Sequence, residues 1–112
     1  MVSGSWISHS ERALWQRRAA AELAAILDAH RDLPVIAWTV GPAGSVLIGQ
    51  VSGLAPAVRV REAFGAWRRA LALEDYRERP TSGATTWLHA AARRGEVRVR
   101  LTAVVFDDDE QL

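Results

Sequence analysis

The chain has 112 residues, 49% of them hydrophobic and 24% charged, which is the composition of an ordinary globular domain and excludes a disordered or fibrous polypeptide. It has no cysteine, hence neither disulfides nor thiolate metal ligands, and no run approaches the roughly 18 apolar residues of a membrane span. The net charge of +1 hides an asymmetry: Asp107, Asp108, Asp109 and Glu110 carry four negatives, so residues 1–106 set 14 arginines against nine acids, a net +5.

One domain over 1–112 is expected, with 1–7 and 107–112 as flexible ends. The amino terminus lacks the charged start and apolar stretch of a secretory signal, so the cytoplasm is the expected location and no membrane partner is expected. Every cation is Arg, a bias that follows codon usage in a GC-rich genome, although Arg is also the better partner for phosphates and aromatic faces.

Ser8-His9-Ser10-Glu11 has capping-box spacing and predicts a helix start. Trp15, Ala19, Leu23, Ile26, Leu27 and His30 then recur as a helical stripe, and Pro34 ends the helix by about Asp32. Val35 to Val40 and Val46 to Val51 form a predicted hairpin around Gly41-Pro42-Ala43-Gly44-Ser45. In that register Ile36, Trp38 and Val40 meet Val46, Ile48 and Gln50 on one face. Val35, Ala37 and Thr39 meet Leu47, Gly49 and Val51 on the other.

A second helix fits Pro56 to about Leu73, with Val60, Ala63, Phe64, Trp67 and Leu71 as its stripe and Arg59, Arg61, Arg68 and Arg69 solvated. Within Leu73 to Pro80, the alternation of Tyr76, Glu78 and Pro80 against Arg77 and Arg79 suits a short edge strand, because charges and Pro are tolerated there. Thr85 to Phe106 reads as a second hairpin. With Arg94 and Gly95 as its turn, Thr86, Leu88, Ala90 and Ala92 share an apolar face with Val97, Val99, Leu101 and Ala103. Trp87, His89, Arg98, Arg100 and Thr102 fall on the opposite face. The predicted fold class is α+β: an antiparallel sheet of four or five strands with both helices on one face, in the order αββα(β)ββ.

No catalytic, cofactor or metal site is expected. His9, His30 and His89 lack ligand spacing, no nucleophile elbow surrounds any Ser or Thr, and Gly41-x-x-Gly44 joins two strands as a turn rather than gripping phosphate. The second helix is basic on one side, but flanking hairpins leave no partner for a helix-turn-helix.

Two surfaces carry the functional expectations. The first hairpin is apolar on both faces, so Val35, Ala37, Thr39, Leu47 and Val51 are expected as an interface, making the chain a non-enzymatic interaction protein that pairs as a homodimer or with another protein. The alternative is a nucleic-acid-binding accessory protein, with Trp87 as stacking platform and His89, Arg98, Arg100 and Thr102 beside it. A ligand pocket near His30 or His89 is a third reading. The acidic run Asp107–Glu110 reads as a solvated tail, with a weak cation site or a competitor for the basic face as alternatives.

From Leu54 to Val105, the motifs Arg61-Glu62-Ala63-Phe64, Ala66-Trp67-Arg68, Glu78-Arg79-Pro80, Gly83-Ala84-Thr85 and Val97-Arg98-Val99-Arg100-Leu101-Thr102-Ala103 resemble small uncharacterised proteins of actinomycete genomes and their integrated elements. The resemblance covers about half the chain. It implies a cytoplasmic bacterial or phage-related accessory protein and carries no catalytic residues with it.

Overall fold

Burial alternates residue by residue along Val97–Phe106 and along Thr85–Ala90, and this alternation defines the side of the sheet that the helices cover. A computed structural model describes residues 9–41, 45–51, 56–81 and 83–106. The elements are α1 (His9–Ala29), β1 (Ala37–Val40), β2 (Val46–Val51), α2 (Ala57–Ala70), β3 (Arg77–Pro80), β4 (Thr85–Arg94) and β5 (Val97–Phe106). The strands form one five-stranded sheet in the order β1-β2-β5-β4-β3. The α+β class and the element order follow the sequence pattern, but the sheet is mixed: β2 runs parallel to β5, through a connection that contains α2, β3 and β4.

Both helices pack on one face. Ala19 and Ile26 of α1, and Val60, Phe64 and Trp67 of α2, meet Leu47, Leu88, Val99, Leu101 and Val105 in a single core. Each large aliphatic side chain buried here stabilises the fold by about 1.5–3 kcal/mol. The α1 stripe is narrower than its periodicity implies, since Leu27 is 45% exposed. Its predicted cap, Ser8, lies outside the described residues. The Trp67 indole N–H donates to the Pro34 carbonyl at 2.7 Å, and the ring meets Trp38 edge-on at 5.5 Å, so α2 pins the linker between α1 and β1.

Helix α2 ends in a Schellman motif. Leu73 N–H bonds the Arg68 carbonyl at 3.0 Å, Ala72 N–H bonds the Arg69 carbonyl at 3.2 Å, and Ala72 takes φ +52° where Gly is usual. Leu73 is buried, which anchors the reversal into β3.

The first hairpin differs from expectation by one residue. Trp38 opposes Gly49 and Val40 opposes Leu47, and Gly41 N–H extends the ladder to the Val46 carbonyl at 2.8 Å, leaving four residues in the loop. A one-residue slip exchanges the faces of one strand relative to its partner. Leu47 and Val51, expected outside, are therefore core residues, 0% and 6% exposed, while Val35 is 100% exposed and Ala37 and Thr39 face away from the helices. The interface set Val35, Ala37, Thr39, Leu47 and Val51 thus does not share a face. The observed register sets Gly49 beneath the Trp38 ring, where a Cβ would lie 3.0 Å from indole carbons, and brings the indole onto Trp67.

The second hairpin differs by two residues, which preserves every face. Arg94 pairs with Val97 around Gly95-Glu96, and Gly95 has φ +64° while Glu96 does not, as a type II′ turn requires of its first central residue. Ala92 consequently opposes Val99 and His89 opposes Thr102.

Candidate functional site

The pleat sorts charge between the two sides of the sheet. On β3, Glu78 points toward α2, where it accepts from Arg61 at 2.9 Å and from the Tyr76 hydroxyl at 3.3 Å, while Arg77 and Arg79 alternate to the other side. At the hairpin tip, Arg94 donates to Glu22 of α1 at 2.8 Å and Arg18 pairs with Glu96. Glu22, Glu78 and Glu96 are thereby engaged on the helix side, whereas Asp75 pairs with Arg77 at 3.5 Å. The open face carries Arg77, Arg79, Arg93, Arg98 and Arg100. The nearest acids are Glu74 and Asp75, in the segment that leads into β3, and they line a hollow with Arg93 and Arg98.

At the centre of this face Trp87 and His89, two residues apart on β4, stack with ring centroids at 5.1 Å and planes at 20°. The Arg79 guanidinium lies 4.9 Å from the Trp87 ring centroid. Register sets Arg79 and Val104 on either side of Trp87, Arg77 and Thr102 on either side of His89, and Arg100 beside Ala91. Arg98 lies between Val46 and Arg93. The five contact residues predicted from sequence, Trp87, His89, Arg98, Arg100 and Thr102, are therefore brought onto one surface. Val104 and Phe106 extend it with exposed apolar side chains.

Two buried polar atoms on this side of the sheet lack partners among the described residues: His89 Nδ1 and Arg98 Nε. Burial first, then Arg100, with smaller contributions from Arg98 and Arg77, push the His89 imidazole below its ordinary 6.5, and Asp75 opposes the shift. Burial chiefly, and the neighbouring guanidiniums after it, thus disfavour the charged form of the ring.

Sequence reasoning missed Arg77, Arg79 and Arg93 as members of this face. The alternation Arg77-Glu78-Arg79 carried the signal, but assigning it to the outer side required the pairing of β3 with β4.

Other chemistry is less well supplied. Among the described residues no three His, Asp or Glu side chains group so as to hold a metal ion. His30 packs edge-on against Trp67 at 6.2 Å. A cleft of about 470 Å³ between α2 and the start of β1 is lined by residues such as Pro34, Ile36, Val51, Val60 and Ala63, with neither histidine nor hydroxyl nucleophile. No helix among the described residues is long and apolar enough to cross a membrane. The chain matches no protein-family model and no curated protein.

Proposed function

We propose that this chain is a non-enzymatic accessory protein that binds single-stranded nucleic acid across the open face of its sheet. The observation that carries the reading is the outer face, open among the described residues, on which Arg77 and Arg79 flank the Trp87–His89 stack and Arg100, Arg98 and Arg93 follow along the same surface. Single strands are bound by aromatic platforms flanked by phosphate-binding cations. A base that takes the Trp87 ring from Arg79 displaces an exposed cation–π contact worth about 0.5–1 kcal/mol and gains stacking worth about 1–3 kcal/mol, so the exchange is favourable. A cytoplasmic bacterial or phage-related setting, which the resemblance implies, accords with this role.

The test is fluorescence anisotropy of a short labelled oligothymidylate over a salt series. Binding is expected at low ionic strength, and replacing Arg98 and Arg100 by Gln lowers the slope of log K against log salt by about 1.4, since each single-strand phosphate contact contributes roughly 0.7. Trp87→Ala weakens binding and leaves the slope unchanged. Absence of binding at low salt rejects the proposal.

A second reading, self-association, is favoured by a difference between the two sheet edges. The β3 edge is Arg-Glu-Arg-Pro, whereas the β1 edge, Ala37-Trp38-Thr39-Val40, carries no charge and no proline to deter strand pairing. A dimer formed there joins two sheets edge to edge and leaves both basic faces open. Light scattering tests it: a dimer that Ala37→Lys converts to monomer supports the reading, and a wild-type monomer at high concentration rejects it.

A further inference from the structure

We propose that the hollow beside the end of β4, walled by Asp75 and Glu74 on one side and Arg93 on the other, holds a guanine base; the inference rests on the nucleic-acid reading above and names the base that the face selects. The hollow encloses about 550 Å³. It exists because β3 begins only at Arg77, opposite His89, so residues 92–94 of β4 have no strand beside them on that side among the described residues. The Asp75 N–H carries the pairing one step further, to the Ala91 carbonyl at 3.2 Å. Ala91, 2% exposed, forms the floor, and Leu71 and Ala72 close the end. Arg94 turns to Glu22 on the helix side, which leaves Arg93, exposed, as the cation facing the two acids with Arg98 behind it.

A carboxylate only accepts hydrogen bonds and a guanidinium only donates them. Guanine alone among the bases sets adjacent donors, N1–H and the N2 amino group, on one edge and adjacent acceptors, O6 and N7, on another. The first edge suits the two oxygens of Asp75 and the second suits the fork of Arg93. The β3–β4 register, continued, sets Asp75 opposite Ala91, two residues from Arg93, so the two Cα atoms lie about 8 Å apart at strand spacings. A base lying over Ala91 spans that gap. Arg77, at 3.5 Å, holds the Asp75 carboxylate in place while half of the side chain stays exposed. The acids repel phosphate, so the hollow suits an uncharged base while Arg98 and Arg100 take the backbone. Ala91 is about 13 Å along β4 from Trp87, and the two sites therefore take different bases of one strand.

The experiment measures, by fluorescence anisotropy of the full chain, a labelled oligothymidylate and variants of it in which guanine, adenine or cytosine replaces one thymine at each position in turn. Guanine at one position is expected to tighten binding on the order of tenfold, and adenine and cytosine are not. Asp75→Asn is expected to abolish that preference while oligothymidylate affinity stays level or rises, and Asp75→Glu restores part of it. Arg93→Gln is expected to abolish it as well. Binding without a guanine preference overturns the inference and leaves the nucleic-acid reading standing. A preference that persists in both Asp75→Asn and Glu74→Gln also overturns it, since the acids then serve only as partners of the neighbouring arginines. Guanosine monophosphate, titrated against the Arg93 Nε–Hε resonance with thymidine monophosphate as control, separates a free nucleotide from a strand. A shift specific to guanosine monophosphate, with no oligonucleotide bound, upholds the base site and rejects the strand reading; no shift and no oligonucleotide binding reject both.

Discussion

Leu47 and Ile48 are adjacent aliphatic residues on β2 whose roles depend on a single residue of register. Leu47 is 0% exposed, with Val40 opposite it on β1 and Val99 opposite it on β5, beneath the helices. Ile48 is half-buried on the open face, between Thr39 and Arg100. Leu→Ala in a filled core costs about 2–5 kcal/mol, from lost transfer energy and the cavity left behind. We expect about 3 kcal/mol for Leu47→Ala, a fall in Tm of roughly 10–20 °C. Ile48→Ala removes side-chain area that is already partly wet and is expected to cost about 1 kcal/mol. Urea unfolding followed by circular dichroism, with similar m-values for both variants, measures the difference. Equal costs, or a larger cost at Ile48, would refute the register and with it the composition of the open face.

Three further outcomes follow from local geometry. Gly49→Ala sets a Cβ 3.0 Å from Trp38 carbons and 3.1 Å from Ile36 Cδ1, and because Trp67 restrains the indole we expect a loss of about 1–3 kcal/mol, reduced in a Trp38→Leu background; a double-mutant cycle in urea reads the coupling. Ala72→Gly relieves the left-handed conformation at the end of α2 and is expected to stabilise by about 0.5–1 kcal/mol, against the usual cost of removing a methyl group. His89 is depressed below 6.5 in the folded chain, so the unfolded chain takes up its proton first: stability is full above about pH 6.5 and declines as pH falls through the folded value, and His89→Gln removes that part of the pH dependence. An anionic ligand reverses the shift, so oligonucleotide affinity is expected to rise over the same interval, which anisotropy at two pH values can measure.

The helices and the second hairpin were legible because their patterns admit few alternatives. Val60, Phe64, Trp67 and Leu71 define one helical stripe, and the long alternation from Thr85 to Phe106 keeps its faces even when the pairing shifts by two. The first hairpin offered no such discrimination. Val35, Ala37 and Thr39 are nearly as apolar as Ile36, Trp38 and Val40, and only the fit of Trp38 over Gly49 and onto Trp67 decides between the registers. That fit depends on α2, which is distant in sequence. The parallel pairing of β2 with β5 is likewise a tertiary event, with nothing local to announce it. The candidate site was half visible: the pattern within β4 and β5 put Trp87, His89, Arg98, Arg100 and Thr102 on one face, while Arg77 and Arg79 joined it only through an inter-strand register.

The most direct test of the open face is chemical-shift mapping with a short oligothymidylate at low ionic strength, because the tryptophans report on both sides of the sheet. The account predicts that the Trp87 indole and the Arg79, Arg98 and Arg100 guanidinium resonances move on titration, while the Trp38 and Trp67 indoles, packed against each other on the helix side, stay in place. Motionless outer-face resonances, or shifts confined to Trp38 and Trp67, would contradict it.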